Sequence, residues 1–129
     1  MRKGEYTEAM AIHYASAELS RRGWRVDLPM AGNREGFDLT ATKGKETLRV
    51  EVKGLRSSAQ FYFNADDWYD PEIALPADNV IGVRALEDQA PEFFIGTARE
   101  VQTDLASRPN SEWAPWRDQK MYRDRWDKL

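Results

Sequence analysis

The sequence predicts a mixed α/β domain, an α+β arrangement in which a helix precedes one mixed sheet and further helices follow it. Three observations predict it. The first stretch, from Glu5 to Arg22, is rich in Ala, Glu, Leu and Met, which are good helix formers. The middle of the chain breaks into short runs with period-two or β-branched character. The helical signal returns at Thr97-Ala98-Arg99-Glu100, which has the form of a capping box. That order, helix then strands then helices, suits helices packed on a sheet built largely as a β-meander.

Taken in turn, the first helix places Tyr6, Met10, His13, Tyr14 and Ala17 on one face, expected to be the packed one. Gly23 ends it, after Arg21 and Arg22, which suit a helix C-terminus. Trp24 to Leu28 alternates as a short strand closed by Pro29, and a polar loop runs from Ala31 to Gly36. Phe37 to Thr42 and Thr47 to Gly54 read as two strands joined by a tight turn. Gln60 to Phe63 is a further strand with Phe61 and Phe63 inward, and Asn64 can cap a short helical turn through Asp66, Asp67 and Trp68. Asn79 to Ala85 and Glu92 to Ile95 are two more strands. The capping box should start a helix reaching about Ser107. Pro109 to Pro115 is a loop, and Trp116 to Leu129 is expected to be a last helix, making residues 109–129 an aromatic helical tail. Trp113, Trp116, Tyr122 and Trp126 make it aromatic; Tyr122 and Trp126, four apart, would share a face and dock it on the domain or on a second subunit, a better reading than base stacking.

Composition bounds the function. The 129 residues suit one domain, 1–129, with its own core; 41% are apolar and 32% charged, as in a globular chain and not a disordered one. There is no cysteine, hence neither a disulfide framework nor a thiolate metal site. No stretch approaches a membrane span and the N-terminus lacks the apolar run of a signal peptide, so a cytoplasmic location is expected. The net charge of −3 argues against a simple nucleic-acid coat protein, although a bound cation would restore positive potential locally. Basic residues do cluster: Arg21, Arg22 and Arg25; Lys43 and Lys45; Lys53 and Arg56. No G-x-S-x-G, P-loop, H-E-x-x-H or EF-hand pattern occurs. His13, the only histidine, is expected at the core or its boundary.

The hairpin from Phe37 to Lys53 is the informative stretch. If Gly44-Lys45 is a two-residue type II′ loop, Lys43 faces Glu46, and counting back along both strands sets Asp38 opposite Glu51. Residues opposite each other share a face, and Lys53, two after Glu51, shares it too. The other face, Leu39, Ala41, Leu48, Val50 and Val52, is uniformly apolar and must pack inward. Two carboxylates directly across a sheet repel one another, so the pairing makes chemical sense if a cation sits between them. Magnesium takes one or two carboxylates, filling its shell with water and phosphate oxygens; the Val52 carbonyl could complete such a site. A metal there, with Lys53 beside it, suits phosphodiester hydrolysis. Asn33 and Arg34, in the polar loop beside Asp38, could contact phosphate, and a simple turn explains them as well. The acidic group Asp66, Asp67 and Asp70 is better read as a solvated capped turn than as a second metal site.

Asp38, followed after a hairpin turn by Glu51-Val52-Lys53, resembles the PD-(D/E)XK nuclease superfamily, the restriction-endonuclease-like fold. Gly-Phe precedes the Asp here in place of Pro. Gly4-Glu5-Tyr6-Thr7-Glu8 on the first helix, Gly23-Trp24-Arg25-Val26, and the loop Gly32-Asn33-Arg34-Glu35-Gly36 are similar to the small resolvase-like and restriction-like members. The likeness covers residues 4–64 and extends in element order to about residue 106. It implies a restriction-endonuclease-like core and a DNA endonuclease using Mg2+, with Mn2+ as a substitute. It implies Asp38, Glu51, Lys53 and Glu8 as the catalytic set, with Glu8 reaching the metal through water. Position alone would leave Glu8 as a helix-start carboxylate, with Glu5 as its substitute if the helix phase differs. Gln60 would line the site, as a polar residue does in that strand of some relatives. DNA is the implied partner, and so small a domain suggests a homodimer or a larger nuclease complex. The alternative is a non-catalytic module on the same fold that binds nucleic acid or protein.

Overall fold

The computed structural model describes residues 3–29, 37–64, 68, 75–105 and 113–129. Asn33, Arg34 and the acidic residues Asp66, Asp67 and Asp70 lie outside them. In chain order the described elements are α1 (Lys3–Arg21), β1 (Arg25–Asp27), β2 (Leu39–Lys43), β3 (Glu46–Leu55), β4 (Tyr62–Asn64), β5 (Asn79–Arg84), β6 (Glu92–Thr97), α2 (Ala98–Leu105) and β7 (Trp113–Pro115), then two 3-10 turns at Gln119–Tyr122 and Trp126–Lys128.

Five strands form a mixed sheet in the order β1-β2-β3-β5-β6. β1, β2 and β3 are a meander, β5 runs parallel to β3, and β6 returns antiparallel to β5. The hairpin register is the expected one: Lys43 pairs with Glu46, Ala41 with Leu48 and Leu39 with Val50. Gly44 takes φ +62°, while the only non-glycine residues described with positive φ are Asp88 and Asp124, so Lys45 does not share it. One positive φ, at the first loop position, is the II′ pattern.

Helix α1 covers one face of the sheet. Ala11, Ala15 and Leu19 pack on Leu39, Ala41, Val50, Val52, Ile81 and Val83. This corrects the expected helix face. Tyr6, His13, Tyr14 and Ala17 point outward, with Tyr6 and Tyr14 53% and 40% exposed. The buried stripe uses small residues because the helix lies very close to β3: a Cβ on Gly54 would fall 2.8 Å from both the Ala11 Cβ and the Thr7 carbonyl oxygen. Helix α1 then ends as a Schellman motif, with Gly23 at φ +93°, its N–H donating to the Ser20 carbonyl at 3.1 Å and the Trp24 N–H to the Leu19 carbonyl at 3.0 Å.

The opposite face is aromatic. Phe61, Phe63, Trp68, Phe94 and Trp116 pack with Val80 and with Val101 and Leu105 of α2. The capping box forms reciprocally, the Thr97 N–H donating to Glu100 Oε1 at 3.0 Å and the Glu100 N–H to Thr97 Oγ1 at 3.1 Å. Two expectations fail on this side. β4 leaves the main sheet and pairs instead with β7, in a stretch read as loop, so the described strands form two sheets and not one. The last fourteen residues are not a helix but the two 3-10 turns, an isolated bridge from Arg123 to Phe94, and contacts made by separated aromatics. Tyr122 packs at a tilt against Trp116 with ring centroids 5.1 Å apart, and Trp126 reaches the α1 face, packing against Phe93 at 5.4 Å. Pairing the β7 backbone with β4 and docking both rings onto the sheet outweighs the helical spacing. The docking role expected of the tail is met on the domain itself.

Candidate metal-binding site at the end of the hairpin

β2 ends where the site begins. Leu39 and Val50 are the last cross-strand pair, and the Asp38 N–H donates to the Val50 carbonyl at 2.9 Å. At the next rung the Val52 N–H finds a side chain in place of a backbone carbonyl: it donates to Asp38 Oδ2 at 2.7 Å. This bond fixes the Asp38 carboxylate against β3. In a strand the N–H and C=O of one residue point to the same side, so the Val52 carbonyl is directed toward the same space, past the end of β2.

Regular pairing stops at Leu39–Val50, yet the Glu51 carboxyl still meets that of Asp38 through a side-chain hydrogen bond, and its side chain is 16% exposed. Lys53, on the same face, places Nζ 3.7 Å from Glu51 Oε1 and 5.2 Å from the centre of the Phe63 ring. Burial pushes the Glu51 carboxyl up to about 8; the Asp38 charge and a hydrogen bond to it push the same way, Glu8 adds a smaller repulsion, and the Lys53 ammonium opposes them. The protein thus holds two carboxyl groups together where one lysine does not offset their repulsion and lost hydration.

Glu8 is exposed on α1 and lines the same opening as Val52 and Lys53, so the sequence-predicted residues Asp38, Glu51, Lys53 and Glu8 are brought to one region. Glu8 is the outlier in distance: among the described residues no three carboxylate or imidazole side chains converge as a group able to hold one ion. The close set is therefore Asp38 and Glu51 with the Val52 carbonyl, and two carboxylates with one backbone oxygen is a donor set suited to a magnesium-sized ion that keeps water. Gln60 lies apart from the opening, its Nε2 donating to the Arg117 carbonyl at 3.4 Å. Sequence reasoning missed Thr7 and Ser57, and placed Trp113 in the aromatic tail and not at this opening, which all three line with Arg56. Trp113 had a signal as an aromatic residue in a polar stretch, but nothing local indicates that its strand returns to β4.

No family model and no curated protein matches the sequence. The fold has solved counterparts. A bacterial homing endonuclease, I-Ssp6803I, superimposes with a TM-score of 0.66 over 98% of this chain and 92% of its own, at 16% identity. A Holliday junction resolvase, Hjc of Archaeoglobus fulgidus, aligns over 72% of this chain and 74% of its own with a TM-score of 0.47 at 18% identity. The chain has the restriction-endonuclease-like fold, the one anticipated from Asp38 and Glu51-Val52-Lys53.

Proposed function

We propose that the protein is a metal-dependent DNA endonuclease that hydrolyses phosphodiester bonds, with Asp38, Glu51 and the Val52 carbonyl holding Mg2+ or Mn2+. The observation that carries the reading is the forced proximity of Asp38 and Glu51 beside Lys53. Such a pair is costly in a merely structural role, because like charges across a sheet destabilise it and burial adds to the cost. Its occurrence on a fold shared almost end to end with a homing endonuclease supports DNA as the substrate.

A divalent ion bound there would polarise a phosphoryl oxygen and lower the pKa of a coordinated water. The chain's own residues do the rest. The Val52 N–H orients Asp38, leaving its other oxygen for the ion. Lys53, steadied over the Phe63 ring, presents an ammonium that can orient the attacking water or offset charge developing on the phosphate. Glu8, which lines the same opening, would reach the ion through water. Helix α1, which carries Glu8, is itself set by the Ala11–Gly54 approach. A homodimer, with two sites related by a two-fold axis, would allow cuts on both strands.

The test is cleavage of plasmid, linear and branched DNA with Mg2+ or Mn2+. Wild type should cut at least one of them. Asp38→Ala and Lys53→Ala should each lose about 100-fold or more, with unchanged circular dichroism. Equal inertness of all three proteins on every substrate would leave the non-catalytic binding module as the function. Calorimetric Mg2+ binding should vanish in Glu51→Ala, and unchanged binding would remove the metal site.

A further inference from the structure

β3 outruns β2. Beyond the Leu39–Val50 pair its edge has no neighbouring strand among the described residues, while its other edge stays paired to β5 as far as Leu55 and Arg84. A groove of about 720 Å3 occupies the side where β2 would have continued. Its floor is β3 from Val52 to Gly54 and the Leu55-Arg56-Ser57 segment beyond; one wall is the start of α1 and the other is Trp113. Val50 and Val52 turn their backbone polar groups to the β2 side, so Gly54, two residues further, turns its own N–H and C=O into the groove. Lys53 and Arg56 bring positive charge to it.

The aromatic wall is unusual for its exposure. Trp113 alone forms it and is 49% exposed; Tyr62, its diagonal neighbour across the β4–β7 pair outside the groove lining, is 48% exposed. Both lie on the outer side of that small sheet, because the residues between them, Phe63 and Ala114, point inward and are fully buried. The chemistry in reach is a flat π-face, a guanidinium, a lysine and backbone donors and acceptors, in a volume within the roughly 300–1,000 Å3 usual for a small-molecule-sized ligand. This does not fit a stacked duplex, whose bases are already covered. It fits one unpaired nucleotide, with its base on an aromatic face and its phosphate on a cation.

We propose that this groove takes an unpaired nucleotide of the DNA strand next to the phosphate to be cut, its base stacked on Trp113 and its flanking phosphate held by Arg56. The proposal rests on the nuclease reading for the site beside it, and it makes the substrate class a DNA with a locally unpaired strand, such as a flap, a junction or a single-stranded end. Trp113 and Arg56 are substrate-positioning residues in it.

The experiment measures binding in EDTA, where cleavage plays no part. The probe is a short oligonucleotide carrying 2-aminopurine, offered single-stranded and as a duplex. Stacking on Trp113 should quench the unpaired probe. Trp113→Ala should weaken its binding about 5- to 150-fold and abolish the quench, whereas Trp113→Phe should keep most of both. Duplex affinity should change less than two-fold. Arg56→Gln, an exposed position independent of β7, should weaken the unpaired probe and lower the salt dependence of its binding by about one phosphate contact. The proposal is overturned if wild type fails to bind or quench the unpaired probe, or if Trp113→Ala leaves both unchanged. It is equally overturned if duplex binding falls in parallel, which would make Trp113 a general contact. None of these readouts depends on catalysis. An inert protein with a Trp113-dependent quench would refute the nuclease alone, and an active one without the quench would refute the groove alone.

Discussion

The two faces of the main sheet are built on different principles. Under the helix the α1 face is aliphatic and small, with Ala11, Ala15 and Leu19 meeting Leu39, Ala41, Val50 and Val52, and rings enter only around it, with Phe93, Trp24 and Trp126. Most of it comes from one stretch of chain. The opposite face is aromatic, and its rings come from segments far apart in sequence: Phe61 and Phe63 from β4, Phe94 from β6 and Trp116 after β7. Period-two alternation sends Asp38, Glu51 and Lys53 to this second face. Small side chains bring helix and sheet so close that a Cβ on Gly54 would meet Ala11 and the Thr7 carbonyl. Rings leave a margin at the edge of the sheet, where charged groups can be largely buried and still open to a ligand. The site stands at that margin, where one strand stops and its neighbour goes on.

The sharpest way to break this comparison is to remove one anchor from each face. Trp116 is fully buried, touches Phe61, Phe63 and Tyr122, and donates from Nε1 to Asp104 Oδ2 at 3.2 Å. Trp116→Ala should cost about 3–5 kcal/mol in urea melts. It should also detach the tail, seen as faster proteolysis after Arg117 and Arg123. Leu39→Ala on the α1 face should cost roughly 2–5 kcal/mol and leave the Tyr122–Trp116 contact, so that cleavage after Arg117 stays slow. Equal protease sensitivity in the two variants would mean that the faces are not separate in this way.

A smaller effect distinguishes how the faces yield. Gly54 and Gly82 each have no room for a Cβ, but the obstacles differ. At Gly54 they are the backbone oxygen of Thr7 and the Ala11 Cβ, both at 2.8 Å; at Gly82 they are Phe61 ring atoms at 2.7 Å. Overpacking of this kind costs about 1–3 kcal/mol. Gly54→Ala should lie at the top of that range, because a helix must move, and it should shift Glu8 and so depress cleavage. Gly82→Ala should cost less, because a ring can tilt. The reverse order in denaturant midpoints would show that the aromatic face is the stiffer one.

The same contrast decided what could be read from the sequence. The hairpin register, and with it the meeting of Asp38 and Glu51, followed from Gly44-Lys45 and period two, since a two-residue loop leaves no freedom to slip. The α2 start followed from Thr97 and Glu100, because a capping box is a local arrangement. The α1 face was misread because Tyr6, Met10 and Tyr14 carry more apolar area than Ala11 and Ala15. Closeness to Gly54, a property of the assembled sheet, overrides area. The β4–β7 pair was invisible for a similar reason: Trp113-Ala114-Pro115 is too short to announce a strand, and its partner lies about fifty residues earlier. Trp113, and with it the groove, was lost with that strand.

The gentlest test concerns the proton on Glu51. Its folded value, about 8, lies above the ordinary 4.5, raised by burial and by the Asp38 charge. Without metal, folding therefore favours the protonated form. The stability that this group contributes is fully present below about 4.5 and is lost as the pH rises through about 8. One proton sets a limit of about 1.4 kcal/mol per pH unit on the slope. Thermal melts of the EDTA-treated protein should accordingly decline between these values, and Glu51→Gln should flatten the decline. Mg2+ should do the opposite of protons, because it favours the ionised pair. The rise in melting temperature on adding Mg2+ should be larger at pH 8.5 than at pH 6, and absent in Glu51→Gln. A pH slope equal in wild type and variant would show that Glu51 is not held in a costly environment. The aromatic face would then differ from the α1 face in its side chains but not in what it does to a charge.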